Sequence, residues 1–203
     1  MSRWIEDLSL QGEHVRLDPL APTDAPGLRD AARDGELWTL WYTSVPAPDA
    51  VDAWIATAAA ERERGVSVPF TIRRTSDGTI VGSTRYMNIV AAHRRLEIGT
   101  TWYRRSVQRT AANTECKLLL LAEAFDRIGC NGVELRTHAM NVQSRRAIER
   151  LGAKLDGVLR SHMVMPDGTL RDTCVYSILA HEWPAVRSNL RHRLGQARTT
   201  QPG

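Results

Sequence analysis

Residues 96–121, which read LEIGTTWYRRSVQRTAANTECKLLLL, constrain the fold of this chain more than any other segment. Apolar and small or polar residues alternate over 96–102, which is the pattern of a half-buried strand. Residues 104–110 are polar and basic, and they precede an apolar run that predicts a helix capped by Thr110 or Asn113. A helix that begins directly after a strand presents unpaired N–H groups and a positive dipole end. The segment therefore predicts a seat for a phosphate group, and with it a phosphorylated cofactor.

Arginine side chains surround the predicted phosphate seat. Arg104, Arg105 and Arg109 all lie between the strand and the helix, where positive charge attracts an anion. Elsewhere the basic residues are scattered, and the net charge is +4. A nucleic-acid-binding surface gathers its basic residues on one stripe, so we do not expect nucleic acid as a partner. A nucleic-acid-associated protein stays as the alternative that the positive charge favours.

The length and the cysteines predict one domain in a reducing compartment. A chain of 203 residues fits a single domain, which we place at 1–195, with a flexible tail at 196–203. Cys116, Cys130 and Cys174 are odd in number and widely spaced, which favours the cytoplasm over a disulfide-forming compartment. We expect no signal peptide, no membrane span and no metal site.

The rest of the chain alternates strands and helices without internal repeats. Two predicted hairpins turn at the Ser-Asp-Gly and Pro-Asp-Gly segments that end at Gly78 and Gly168. This order predicts an α/β fold with a mixed, mostly antiparallel sheet and helices on both faces. The predicted strands are 13–20, 69–74, 79–89, 94–102, 132–138, 155–165 and 169–179, and the predicted helices are 23–33, 49–64, 110–128, 141–152 and 182–194.

The order of strand, phosphate loop, helix and strand, followed by NVQSRRAIERLGAKLDGVLR at 141–160, resembles the GNAT superfamily of acyl-CoA-dependent N-acyltransferases. Within that superfamily the chain is similar to the RimJ/RimL-type ribosomal-protein N-terminal acetyltransferases, and the resemblance covers nearly the whole chain. It implies the GNAT fold, in which the strand before the loop and the strand after the helix splay apart in a V.

The resemblance also implies acetyl-CoA, or another acyl-CoA, as co-substrate and no metal. The family's loop pattern, Gln/Arg-x-x-Gly-x-Gly/Ala, aligns with residues 108–113, where Ala111 and Asn113 replace the glycines. Alanine fits a helical first turn and asparagine tolerates unusual backbone angles, so we expect the loop to bind phosphate. The implied acyl-CoA-binding residues are Thr101, Trp102, Gln108, Arg109, Thr110, Ala111, Ala112, Asn113, Thr114, Asn141 and Ser144.

The family reaction, attack of an amine on an acyl thioester, needs an uncharged amine, an oxyanion donor and protonation of the thiolate. Glu97 is the candidate base, acting through water; alternatively it is a solvent-facing or salt-bridged strand residue. Ser144 stands where many relatives carry a thiolate-protonating tyrosine, and its hydroxyl is suited to stabilise the thiolate. Alternatively, Asn141 and Ser144 only cap and begin a helix.

The acceptor site is expected in the N-terminal half. Trp38, Trp41 and Tyr42 form an aromatic cluster that could floor a substrate pocket, although tryptophans at such spacing are usually core. His138 and His162 could line the same pocket or be surface or packed histidines. Acidic residues that could attract a cationic amine there are Glu36, Asp49 and Asp52.

Several functional alternatives stay open at this point. The acceptor is a protein N-terminus or a small-molecule amine, and a weakly assisted site suits an α-amine, with a pKa of about 8, better than a lysine at about 10.4. Acetyl is the expected acyl group, with succinyl or another short acyl as the alternative. The remaining hypothesis is a non-catalytic module that binds CoA. The expected assembly is a homodimer. Cys116 is interpreted as a core residue.

Overall fold

The computed structural model describes residues 4–43 and 45–199. Within them, eight strands form one sheet in the order β1-β2-β3-β4-β5-β6-β8-β7. Five α-helices accompany the sheet: α1 Ala25–Arg33, α2 Val51–Glu63, α3 Ala111–Ala122, α4 Val142–Leu151 and α5 Trp183–Thr199. The strands are β1 Leu10–Gln11, β2 Val15–Pro19, β3 Ser67–Arg74, β4 Ile80–Val90, β5 Arg95–Tyr103, β6 Gly132–His138, β7 Lys154–Val164 and β8 Leu170–Leu179.

Every strand and helix predicted from the sequence is present, and both hairpins pair as expected. The structure adds β1, whose two residues are too few to show a periodicity. It also extends α5 to Thr199, beyond the predicted end at residue 194 and into the segment predicted as a tail. A single glycine such as Gly195 does not end a helix whose other residues favour it. Residues 200–203 of the predicted tail lie outside the described part.

The core is divided between the two faces of the sheet. One apolar cluster lies under α3 and α5 and includes Leu96, Ile98 and Tyr103 of β5, whereas Trp102 belongs to a second cluster with α1 and α2. Side chains of a strand alternate between its faces. The residues of β5 that face α3 are even-numbered up to Ile98, but Tyr103 is odd-numbered. One extra residue must therefore lie between Ile98 and Trp102, which is a β-bulge.

The bulge is visible in the register of β5 against β4. Gly99 lies opposite Arg85 and Trp102 lies opposite Ser83, so Thr100 and Thr101 share one position of β4. Thr100 has a φ of 49°, in the left-handed region that a β-branched residue rarely occupies. Such bulges redirect backbone and side chains beside functional sites.

Strands β5 and β6 run parallel and separate after a short contact. In the described chain their pairing covers Arg95 with Gly132, Leu96 with Val133 and Glu97 with Glu134. Beyond it, residues 98–103 pair with β4 alone and residues 135–138 pair with β8 alone. We call the resulting wedge the β5–β6 gap; it confirms the predicted V-shaped splay. Because the two strands are parallel, α3 and α4 both begin at the open mouth of the gap.

Candidate functional site

The first turn of α3 lies at the mouth of the gap. Thr110 caps the helix: its Oγ1 accepts a hydrogen bond from Ala112 N (3.3 Å) and donates one to Val107 O (2.7 Å). Asn113, the other cap predicted from the sequence, lies within the helix instead. Both Ala111 and Asn113 have right-handed helical backbone, so neither position needs glycine. The first-turn N–H groups have no acceptor within the helix and point toward the mouth.

The three arginines of the loop have different environments. Arg104 Nε donates to Asp34 Oδ2 at 3.0 Å, which ties the loop to the end of α1. The Ser106 hydroxyl, together with Arg104, holds the pKa of Asp34 below its usual value. Arg104 is therefore a structural residue and not the phosphate ligand that its position predicts. Arg105 and Arg109 are exposed, and within the described residues no hydrogen bond engages their side chains.

The start of α4 places the predicted thiolate-supporting hydroxyl. Asn141 Oδ1 accepts from Ser144 N at 3.0 Å and so caps the helix, as expected. Ser144 is half-buried, and its hydroxyl has no partner among the described residues. The next residue, Arg145, is held by a hydrogen bond from its Nε to Tyr176 OH at 3.1 Å. Arg146 is exposed.

Glu97 lies at the closed end of the gap. It is only 5% exposed, and its Oε2 accepts from Asn88 Nδ2 at 2.7 Å and lies 3.4 Å from Arg136 Nε. Burial raises the pKa of Glu97, and the opposing effects of Asn88 and Arg136 are smaller. Of the sequence alternatives, a solvent-facing residue is wrong, whereas a salt-bridged strand residue is confirmed by the ion pair with Arg136. A buried carboxyl with a raised pKa is suited to accept a proton.

A second buried charge, Lys117 on α3, was not predicted as a site residue. It is 5% exposed, and its Nζ donates to Thr101 Oγ1 at 2.8 Å. Thr101 in turn shares a 2.7 Å hydrogen bond with Thr84. Burial lowers the pKa of Lys117 to about 8. A sequence signal exists, because Lys117 precedes the core residues Leu120 and Leu121 by one helical turn and so shares their face.

Trp41 contacts both Tyr42 and His138 on the side of the sheet that faces α1 and α2. The Trp41 ring lies 5.0 Å from His138 and 5.5 Å from Tyr42, both edge to face, and it is 51% exposed. His138 is buried; its Nδ1 accepts from Met140 N at 3.0 Å, while Nε2 has no partner in the described part of the chain. Burial lowers the pKa of His138. Trp38 packs against the second core cluster.

The remaining polar candidates contribute less. Asp52 pairs with Arg29, while Glu36 and Asp49 are exposed. Cys116 is fully buried, which raises the pKa of its thiol and confirms it as core. Among the described residues, no group of histidines, cysteines and acids could hold a metal, and no helix is long and apolar enough to cross a membrane.

Comparison with known proteins agrees with this geometry. The model of the acetyltransferase (GNAT) domain matches residues 14–154. A GCN5-related N-acetyltransferase from Brucella melitensis is 30% identical, with a TM-score of 0.85 over 94% of this chain and 86% of the other. A T. thermophilus protein assigned to the acetyltransferases is 31% identical, with a TM-score of 0.82 over 94% of this chain and 99% of the other.

A more distant relative shares the fold and was solved with a cofactor derivative. RimJ of Mycobacterium smegmatis, in complex with CoA-disulfide, is 22% identical, with a TM-score of 0.76 over 92% of this chain and 93% of the other. Among curated proteins none matches the sequence significantly. On the family match and the structural likeness, the chain belongs to the GNAT acetyltransferase family and transfers acetyl groups from acetyl-CoA.

Proposed function

We propose that this protein is an N-acetyltransferase that moves the acetyl group of acetyl-CoA to a primary amine by direct attack in a ternary complex. The amine is a protein N-terminus or a small-molecule amine. One observation carries the proposal: the β5–β6 gap has a helix N-terminus at its mouth and the buried carboxyl of Glu97 at its closed end.

Acetyl-CoA is a substrate that binds through two kinds of contact, one made by its phosphates and one by its pantetheine arm. Its phosphates bind backbone N–H groups within residues 109–113 and the exposed side chains of Arg105 and Arg109. The N–H groups of Gln108 and Ala112 are already engaged, by Arg105 O and Thr110 Oγ1. Its pantetheine arm lies in the gap along residues 99–102, whose backbone has no strand partner on the β6 side in the described chain. The cap by Thr110 and the helical backbone at Ala111 support this assignment.

Glu97 is the base that takes the proton of the amine through a water molecule. Its raised pKa makes it a better proton acceptor than an ordinary glutamate. An α-amine, with a pKa of about 8, is already partly uncharged near neutral pH, whereas a lysine side chain at about 10.4 is not. The arrangement therefore favours an N-terminal or other low-pKa amine. Trp41, Tyr42 and His138 form the acceptor side of the site.

The developing negative charges need two further groups. Backbone N–H groups at the bulge of Thr100 and Thr101 supply donors for the oxyanion, because the bulge removes them from regular pairing with β4. The free hydroxyl of Ser144 supplies a hydrogen bond to the departing sulfur. Serine is a weak acid, so this hydrogen bond stabilises a thiolate without fully protonating it.

Three finer assignments complete the proposal. The RimJ/RimL branch is supported by the shared fold of Mycobacterium smegmatis RimJ. A reducing, cytoplasmic location is supported by three buried cysteines without a disulfide among the described residues. A homodimer is supported by edge strand β7, because long exposed apolar edges favour pairing. The exposed large apolar residues of the β7–β8 hairpin are Leu155, Val158, Leu159, Met163, Val164 and Leu170.

The test is a matrix of acyl donors and amine acceptors. Acetyl-CoA and succinyl-CoA are each incubated with peptides of free N-terminus, N-blocked peptides carrying lysine, and small amines, and products are identified by mass spectrometry. We expect acetylated free-N-terminal or low-pKa amines and little modification of blocked lysine peptides. Exclusive use of succinyl-CoA would contradict the donor assignment. Bound acetyl-CoA without any acylated product would contradict the proposed reaction.

A further inference from the structure

The lysine that the proposed mechanism leaves unused occupies an unusual place. Only two of the 27 basic Lys and Arg residues of this chain are lysines, Lys117 and Lys154. Lys154 is exposed on edge strand β7 and pairs with Glu182. Lys117 instead is buried beside the bulge, where one of its three N–H donors reaches Thr101. Among the described residues Thr101 is its one hydrogen-bond partner, and burial of an ammonium with a single neutral partner is costly and is not explained by packing.

Lys117 and Glu97 approach strand β5, which borders the gap, from opposite faces of the sheet. Leu96 and Ile98 point toward α3, so Glu97 between them points away from it. The bulge brings Thr101 back to the α3 face, where it contacts Lys117. The two charges are near enough that Glu97 raises the pKa of Lys117, against the larger effect of burial. Strand β5, which forms one wall of the gap, therefore has a carboxyl on one face and an ammonium on the other.

We propose that Lys117 is the general acid of the acetyl transfer, giving its proton to the sulfur of CoA as the carbon–sulfur bond breaks. The proposal rests on the proposed function, which places the thioester in the gap. Lys117 gives the site an acid that can protonate the sulfur of CoA. The hydroxyl of Ser144, the other group proposed to contact this sulfur, is only weakly acidic.

The proposed step conserves every atom, proton and electron pair. The uncharged amine attacks the carbonyl carbon and forms the C–N bond, and Glu97 takes a proton from that nitrogen through water. Collapse of the oxyanion breaks the C–S bond, and its electron pair stays on sulfur. Lys117 passes one proton to this sulfur and becomes a neutral amine. The proton held by Glu97 returns through water or solvent to Lys117, so neither residue is changed after a turnover.

The acidity of Lys117 matches this task. Burial lowers its pKa to about 8, close to the value of about 8.5 for an alkyl thiol such as cysteine, and acids are most effective at matched pKa. The ionisable groups acting on it are Glu97 from β5 and Cys116 from its own helix. Glu97 is in turn affected by Arg136, Glu134 and Arg171.

The first experiment compares Lys117→Met with the matched control Lys154→Met. We expect kcat of Lys117→Met to fall about 100-fold, with KM for acetyl-CoA within threefold of wild type and with the decline of kcat above about pH 8 removed. Lys117→Arg keeps a positive charge but cannot give up a proton, so we expect the same loss. A Lys117→Met enzyme with wild-type kcat, or with the high-pH decline retained, would overturn the proposal.

A second measurement uses CoA itself as the probe and does not depend on turnover. The thiol of bound CoA is titrated by ultraviolet absorbance, with desulfo-CoA as the blank for the protein's own thiols. An ammonium facing the sulfur lowers the pKa of the thiol, so we expect it to rise by about one unit or more in Lys117→Met. Equal thiol titrations in wild type and variant would reject the proposal even where CoA binds. Absence of acetyl transfer by wild type, with the shift present, would contradict the proposed function and with it the role of Lys117 as an acid, while the placement of Lys117 beside the sulfur would stand.

Discussion

At the scale of single residues, the proposed chemistry depends on two buried charges of opposite sign. Burial raises the pKa of Glu97 and lowers the pKa of Lys117, so both titrate closer to neutrality than they do in water. Each becomes a better proton acceptor or donor near the working pH for that reason. Burying these two charges lowers the stability of the fold, because each charge has few partners that replace water.

Replacing Glu97 by Gln tests the base directly. As the proposed base Glu97 acts when ionised, so activity of wild type should be lost as pH falls through its pKa, which burial raises from that of an ordinary glutamate. We expect Glu97→Gln to lower kcat/KM for the amine about 100-fold and to lose that dependence. The measurement is a pH–rate profile with Glu63→Gln, an exposed residue at the end of α2, as control. A variant that keeps both the rate and the profile would remove Glu97 from the mechanism.

Reversing the charge of Arg109 tests the phosphate seat. Arg109 is exposed at the start of α3 and has no competing partner in the described chain. Arg109→Glu should weaken acetyl-CoA binding about tenfold or more, because a charge-assisted contact is replaced by repulsion. Calorimetry measures this affinity, and Arg64→Glu supplies the same change of net charge far from the loop. Equal affinities of the two variants would refute the assignment.

The stability of Lys117→Met should depend on pH in a defined direction. The unfolded chain has an ordinary lysine with a pKa of about 10.4, whereas the folded value is about 8. Between these values the unfolded state binds more protons, so wild type gains stability as pH rises. We expect Lys117→Met to be more stable by about 3 kcal/mol at neutral pH, and this excess to shrink toward pH 10.5. Urea unfolding across this range measures it; a constant difference would contradict the burial cost.

At the scale of elements, helix α3 carries both the phosphate seat and Lys117, and one carboxylate fixes it to the sheet. Glu115 accepts backbone hydrogen bonds from Glu13 (2.8 Å), His14 (2.7 Å) and Val15 (2.8 Å) at the turn between β1 and β2. Gly12 leaves room for this carboxylate, because a Cβ there would collide with it. The position of the active helix therefore depends on a contact between distant parts of the sequence.

Glu115→Gln should destabilise the protein without touching the chemistry. The amide NH₂ group would face backbone donors, so we expect the free energy of unfolding to fall by about 1–3 kcal/mol. Urea denaturation, again with Glu63→Gln as control, gives this difference. An unchanged unfolding midpoint would mean that the three hydrogen bonds do not hold α3 in place.

Local signals account for most elements, and long-range contacts account for what the sequence did not reveal. Gly78 and Gly168 have positive φ in the predicted turns, and Asn141 caps α4 as predicted. The pairing of Arg104 with Asp34 joins distant segments and cannot be inferred from spacing. Lys117 was missed because a lysine in a helix is usually solvated, and only the packing of its face shows otherwise.

At the scale of the whole molecule, the site exists because two parallel neighbouring strands separate. The family resemblance predicted that separation, but the point at which it begins follows from the register, which ends at Glu97 and Glu134. At the splay lie the proposed base on β5, the proposed acid on α3 and two helix N-termini. No short motif in the sequence contains all of these groups.

Amide hydrogen exchange with and without acetyl-CoA tests the central claim, that the cofactor lies in the β5–β6 gap. We expect acetyl-CoA to slow exchange in residues 98–103 of β5 and in residues 108–114, because its pantetheine arm and its phosphates engage N–H groups there. Edge strand β7 should show no change. Protection confined to another surface, or absent from β5 under saturating acetyl-CoA, would contradict binding of acetyl-CoA in the β5–β6 gap.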